Sequence, residues 1–167
     1  MPEKQTLERA RADKKAGKAP STQAGKFIRE QIDHIREGRH GARSTKQAIA
    51  IGLSEARRAG VDLPPPRAGN TSDETRKRAS RDYARGHGAA PRRAASAKRS
   101  QASENALKRE STDAASSQAL SRHARSAAAR RSPSERAAAA RRAAQTKGRL
   151  VRTTAARKAA KPRHDSL

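Results

Sequence analysis

The chain has no cysteine and no tryptophan, and only one phenylalanine, one tyrosine and one methionine in 167 residues. Without cysteine there is no disulfide, no thiolate nucleophile and no cysteine-based zinc ribbon. With so few aromatics there is no series of platforms on which unpaired bases could stack. No apolar run approaches a membrane span, and the opening MPEKQTLERARADKK carries charges of both signs with no apolar centre, so neither a transmembrane segment nor a secretory leader is expected. Hydrophobic residues make up 32% of the chain, and most of them are alanine. Folding must offset about 1–2 kcal/mol of backbone entropy per residue, and alanine burial returns far less than leucine or phenylalanine burial. Composition therefore predicts a chain that is mostly disordered, with a small all-α N-terminal helical hairpin and transient helices in a basic tail.

What the chain has in excess is positive charge. Forty lysines and arginines face sixteen aspartates and glutamates, for a formal net charge of +24. Of this, +18 lies from Arg67 onward, where 26 basic residues meet 8 acidic ones in a background of alanine and serine. A pI near 11.8 points to an anionic partner, either nucleic acid or an acidic membrane. An interfacial helix needs bulky apolar residues opposite its basic face. The tail opposes arginine only with alanine, so membrane binding is not expected.

Three segments follow from the pattern. Residues 1–20 form a mixed-charge leader, a short helix at best followed by linker. Residues 21–66 hold the hairpin. Its first helix carries Phe27, Ile28, Ile32 and Ile35 at three-to-four spacing, with Ser21 or Thr22 placed to cap, and ends at Gly38. After the connection GRHGAR, Ser44 and Gln47 make a capping box for the second helix, which puts Ala48, Ile49, Gly52, Leu53 and Ala56 on one face and stops at Gly60. The expected hairpin core is Phe27, Ile28, Ile32, Ile35, Ile49 and Leu53. Val61 and Leu63 can fold back across it before the prolines at 64–66 end the segment.

Residues 67–167 form an Ala/Arg/Ser-rich low-complexity tail without a strict period. Two helix starts stand out in it: Thr71 with Glu74, and SPSE, in which Ser132 caps, Pro133 takes the first helical position and Glu135 reaches back. The second of these should run to about Lys147 or Gly148.

The candidate nucleic-acid contacts are Arg39, Arg43 and Lys46 around the hairpin turn and, in the tail, Arg92, Arg93, Lys98, Arg99, Arg130, Arg131, Arg136, Arg141, Arg142, Lys147, Arg149, Arg152, Arg157, Lys158 and Lys161. Phosphate neutralisation needs many cations and no fixed geometry, and arginine suits phosphate forks and narrow grooves. The hairpin reads either as a groove reader or as a packing and dimerisation module, through which a second copy could dock. Glu30, His34 and Glu37, with His40 beyond, read as a solvated charged face, and His87, His123 and His164 lack ligand spacing. GLSEA lacks the second glycine of a nucleophile elbow, so Ser54 is not a nucleophile. No phosphate-cradling glycine loop occurs. No enzyme activity, cofactor or metal is expected. KRAS, ending at Ser80, and RRSP at residues 130–133 are short patterns at which phosphate could be added.

The run RSTKQAIAIGLSEARRAG, Arg43 to Gly60, preceded by KFIREQIDHIREGRHG and followed by prolines, resembles a family of small, basic, largely uncharacterised bacterial proteins over residues 25–66. That resemblance implies a cytoplasmic, DNA-associated protein with no established active site. The tail is similar in composition to the basic tails of bacterial linker-histone-like proteins, although it prefers arginine to lysine.

The expectation is a nucleoid-associated or architectural protein that binds duplex DNA without sequence preference. Binding of RNA or the ribosome, or a protein-interaction module whose charge is incidental, are the alternatives.

Overall fold

The hairpin is built around one close approach. The computed structural model describes residues 2–88 and 96–145. Helix α2 (Pro20–Arg36) and helix α3 (Thr45–Arg58) pack along each other. Where they meet, a Cβ added at Gly52 would lie 2.7 Å from the Ile28 Cα and 2.8 Å from its nitrogen. Ala24, Ala48 and Ala56 are fully buried beside this contact. Small residues let the two backbones come together, so each large side chain that is present is covered completely. Phe27 and Ile35 are 0% exposed.

Helix α2 starts one residue before the serine expected to cap it, with Ala19 at the N-cap and Pro20 in the first turn. Gly38 follows it with φ 72°, the left-handed conformation that ends helices. Helix α3 is capped as its sequence indicates: Ser44 Oγ accepts from the Gln47 amide at 3.2 Å. Gln47 Oε1 reaches one residue beyond the cap and accepts from the Arg43 amide at 2.9 Å, rather than from the Ser44 amide as a full capping box would have it. Gly60, with φ 85°, closes α3.

The chain around the hairpin is ordered, which corrects the expectation of a mostly disordered protein. The leader is helix α1 (Lys4–Lys15), packed on α2 and burying Thr6, Ala10 and Asp13. Helix α4 (Asp73–Gly86) packs on α3 through Ala79. Its cap is Ser72, which accepts from the Thr75 amide, one residue after the expected Thr71. Helix α5 (Ala97–Lys108) buries no residue. A 3-10 turn (Asp113–Ala115) packs on α2 and α3 and buries Ala114 and Ala115. Helix α6 (Ser117–Ala129) follows. Helix α7, over 133–145, opens with the full capping box: Ser132 Oγ accepts from the Glu135 amide at 3.2 Å, and Glu135 Oε2 accepts from the Ser132 amide at 2.8 Å. The tail segments expected to be transient helices are helices here wherever the chain is described.

The chain divides into a unit over residues 1–123 and a second over 124–167, the division falling within α6. In the first unit the apolar residues form two clusters, one on each side of the Gly52 contact. One joins Phe27, Ala24 and Ala56 to Ala10 and Val61, with Leu7, Leu53 and Leu63 against them. The other joins Ile32, Ile35 and Ala48 to Ala42, Ala114 and Ala115, with Ile28 and Leu120 alongside. Of the expected core, Phe27, Ile32 and Ile35 are buried, while Ile28, Ile49 and Leu53 are half-buried.

The disorder expectation weighed composition, in which alanine burial counts for little against backbone entropy. The order has two further sources. Alanines from α1, α4 and the 3-10 turn close over the hairpin's flanks. Buried hydrogen bonds of long sequence separation tie them down, such as Thr45 Oγ1 to the Ala114 carbonyl at 2.7 Å and Ser54 Oγ to Asp82 Oδ2 at 2.5 Å. Satisfying buried polar groups in this way avoids the 1–3 kcal/mol or so that each would otherwise cost.

Two glycine substitutions should act with opposite sign. Gly52→Ala drives a methyl group into helix backbone and should destabilise by about 1–3 kcal/mol, as overpacking does. Gly25→Ala, in α2 with nothing within 4 Å of the new Cβ, should stabilise by about 0.5–1 kcal/mol. Thermal unfolding followed by circular dichroism checks both: Tm falls for the first and rises for the second.

Candidate nucleic-acid interface

Most of the acidic side chains among the described residues are engaged by a hydrogen bond or an ion pair within the chain. Asp13 holds Lys18 at 2.7 Å and Lys26 at 3.4 Å. Asp82 accepts from Ser54 and pairs with Arg58. Asp62 accepts from the Tyr83 hydroxyl at 2.6 Å, and Glu55 from Gln31 Nε2 at 2.8 Å. Asp33, Asp73, Glu74 and Glu104 pair with Arg29, Arg76, Arg78 and Lys108 along their own helices. Among the described carboxylates, Glu8 and Asp113 are the two without a hydrogen-bond or ion-pair partner for the side chain.

Some of the cations, by contrast, have no such partner. Lys4, Arg9, Arg11, Lys14 and Lys15 on α1 are exposed and hold no carboxylate. On α4, Ala79, Asp82, Tyr83 and Gly86 face α3, which leaves Lys77, Arg81 and Arg85 on the opposite side. These three are exposed and unpaired. They recur every fourth residue, about 6 Å apart along the helix axis, and form a row of charge on a face that carries no packing. The sequence reading missed this row. Its signal is the four-residue spacing within TRKRASRDYARG, which acquires meaning once Ala79 fixes which face is buried.

Several of the expected contacts have other work. Arg39 Nη1 binds Glu3 Oε1 at 2.8 Å, and its Nε pairs with Glu37 at 2.8 Å. Arg43 pairs with Glu110 at 3.4 Å. Lys46 is exposed in the first turn of α3 with no partner. The hairpin turn itself is covered by chain from 107–115. The Gly41 amide donates to the Leu107 carbonyl at 2.8 Å, the Ala42 amide to Ser111 at 3.0 Å, and Arg36 Nε to Ala115 at 3.0 Å. A Cβ on Gly41 would fall 1.9 Å from the Glu110 carbonyl oxygen. The turn that would have to enter a groove is packed surface.

In the tail, Lys98 and Arg99 on α5, Arg130 and Arg131 after α6, and Arg136, Arg141 and Arg142 on α7 are exposed. Arg92, Arg93, Lys147, Arg149, Arg152, Arg157, Lys158 and Lys161 lie outside the described residues. Arg57 is a cation the surface does not have: 8% exposed, it donates from Nε to the Leu63 carbonyl at 3.1 Å and fastens the proline segment to α3. The two non-histidine aromatics are also engaged, Phe27 in the core and Tyr83 stacked on His87 with ring centres 4.0 Å apart.

Comparison with known proteins adds one finding. Residues 3–67 match a family of unknown function (DUF6496). No curated protein and no solved structure matches the chain. Among the described residues, no helix is long and apolar enough to cross a membrane.

The engaged carboxylates set the acid response of the fold. Hydrogen bonds from His34 and then Arg39 hold Glu3 below the usual carboxylate range. Those from Lys18 and then Lys26 do the same for Asp13. A lowered carboxylate contributes stability that is complete above its unfolded value, near pH 4, and is lost as pH falls through the lower folded value. Glu55 works against this trend. Burial first, and the nearby Glu30 charge, push it up, so its contribution grows as pH falls through its raised value. Asp13→Asn should therefore lower Tm at pH 7, and the difference from the parent should shrink below about pH 4 as the native carboxylate becomes protonated. A Tm difference that is constant from pH 7 to pH 2.5 would contradict the assignment.

Proposed function

We propose that the protein is an architectural, nucleoid-associated DNA-binding protein of the cytoplasm, which neutralises duplex phosphates without reading base sequence. The observation that carries this reading is the unequal pairing of charge: most of the described carboxylates are taken up by hydrogen bonds or ion pairs within the chain, while Lys4, Arg9, Arg11, Lys14 and Lys15 on α1 and Lys77, Arg81 and Arg85 on α4 face solvent without a carboxylate partner. A phosphate polymer approaching the outer face of α1 or of α4 meets uncompensated positive charge, and release of its counterions supplies the affinity. The basic residues beyond 145 add to the same term.

Two observations favour duplex over single strands and backbone over bases. Phe27 is buried and Tyr83 is held by Asp62 and His87, so among the described residues no aromatic ring is free to stack on an unpaired base. The hairpin turn, where a reading helix would enter a groove, is closed by the segment 107–115. The row Lys77, Arg81 and Arg85 tracks a phosphate strand better than it reads base edges, because base readout needs side chains converging in a groove.

Binding of full-length protein to a 30-base-pair duplex should weaken steeply with salt. If about ten phosphates are engaged, log affinity falls against log salt with a slope near −9. Replacing Lys77, Arg81 and Arg85 together by glutamine should reduce the slope by up to about 2.7 while leaving the far-ultraviolet spectrum and Tm close to the parent. A slope unchanged in the triple variant removes α4 from the interface. Structured RNA outcompeting the duplex at equal salt would reassign the polymer.

A further inference from the structure

We propose that Glu3, Glu30 and His34 form a binding site for a divalent metal ion of the zinc class, which fastens the start of α1 to α2. Glu30 and His34 lie one turn apart on α2, and Glu3 is the residue preceding α1. The Glu3 amide donates to Glu30 Oε1 at 2.8 Å, which fixes the two carboxylates beside each other. His34 Nε2 lies 3.1 Å from Glu3 Oε1 and 3.9 Å from Glu30 Oε1, and one ligand atom from each residue falls within 4.8 Å of the other two. At zinc–ligand distances of about 2.0–2.2 Å, tetrahedral neighbours stand about 3.3 Å apart, so shifts of less than about 1 Å would close the set.

A second observation is independent of that spacing. Glu30 is 7% exposed, and its Oε2 is buried with no hydrogen-bond partner. Buried carboxylate oxygens are normally satisfied, and a cation in the adjacent pocket would satisfy this one. That pocket has a volume of about 140 Å³ and is also lined by Asp33, His34 and Glu37. Arg29 and Lys26, which line it too, are neutralised by Asp33 and Asp13 respectively, and Arg9 remains as the opposing charge.

The site already attracts a cation. Arg39 Nη1 lies 2.8 Å from Glu3 Oε1 and 3.0 Å from His34 Nε2. A divalent ion at this position would take the place of that guanidinium against the same Glu3 oxygen and the same His34 nitrogen. Arg39 keeps a second anchor in Glu37 at 2.8 Å, and can release Nη1 without becoming unpaired. Mixed nitrogen and oxygen donors favour zinc over magnesium or calcium, and two carboxylates balance the charge of the ion.

The test is a titration of chelator-treated full-length protein with zinc chloride, by calorimetry and by thermal unfolding. The expected result is saturable binding of about one equivalent with a rise in Tm, both lost in His34→Ala. Arg39→Ala removes the competing guanidinium and should tighten zinc binding by roughly tenfold, the order of one charge-assisted contact. An arginine ion-pair cluster with no metal role predicts the reverse pattern: no zinc-dependent shift in either protein, and a lower Tm in Arg39→Ala. That outcome overturns the proposal, as does zinc binding that is undiminished in a folded His34→Ala. If His34→Ala fails to give a helical circular dichroism spectrum, the comparison of parent with Arg39→Ala decides alone.

Discussion

The fold rests on how closely α2 and α3 approach at Gly52. Dispersion attraction is individually weak and falls away within an ångström of separation. A chain with two non-histidine aromatics can form an ordered interior only if its backbones come close enough for alanine and main-chain atoms to fill the space. Gly52 against Ile28, Gly41 against the Glu110 carbonyl, and Gly86 against the Arg57 carbonyl are three places where that condition is met with no room for a methyl group. Interiors assembled this way are as dense as those built from leucine, but they are thinner, and each helix contributes only a few residues.

A thin interior needs other ties, and here they are polar. Thr45 to the Ala114 carbonyl, Ser54 to Asp82, Gln31 to Glu55 and Tyr83 to Asp62 each join elements far apart in sequence. Because the acceptor is so often a carboxylate, holding the unit together draws acidic groups inward or into contact with a neighbour. The chain starts with far more cations than anions, so the surface is left with the excess. The excess of unpaired cations on which the proposed nucleic-acid binding rests is thus a by-product of how a chain poor in large apolar residues stays folded.

This also explains what could be read in the sequence and what could not. The hairpin was legible because Phe27, Ile32 and Ile35 set a helical phase, and because Ser44 with Gln47 and Gly60 are local signals whose partners lie within a turn; Ser132 with Glu135 announced α7 in the same way. The packing of α1 was not. Its apolar face is Leu7 and Ala10, and it is held by a contact between Glu3 and Glu30, 27 residues apart, which no local pattern announces. Ala114 and Ala115 are buried while most alanines around them are exposed, and what distinguishes them is that their carbonyls accept from Thr45 and Arg36, far away in sequence. Among the candidate contact residues, composition shows the sign of the charge but not that Arg39 and Arg43 are paired while Lys77, Arg81 and Arg85 are free. That distinction depends on where Glu3, Glu37 and Glu110 lie in three dimensions.

The excess of unpaired cations would also couple the fold to the proposed partner. Exposed ion pairs such as Arg29 with Asp33 contribute little individually, whereas a net charge of +24 repels itself throughout the compact state. Any polyanion that covers the outer faces of α1 and α4 removes part of that repulsion, and does so more effectively for the folded chain, whose cations are arrayed at fixed spacing, than for an extended one. A ligand that prefers the folded state stabilises it by mass action. The cations that would hold DNA are therefore a stability cost in the free protein and a gain in the complex, so the thin interior need not sustain the fold unaided once the phosphates are in place.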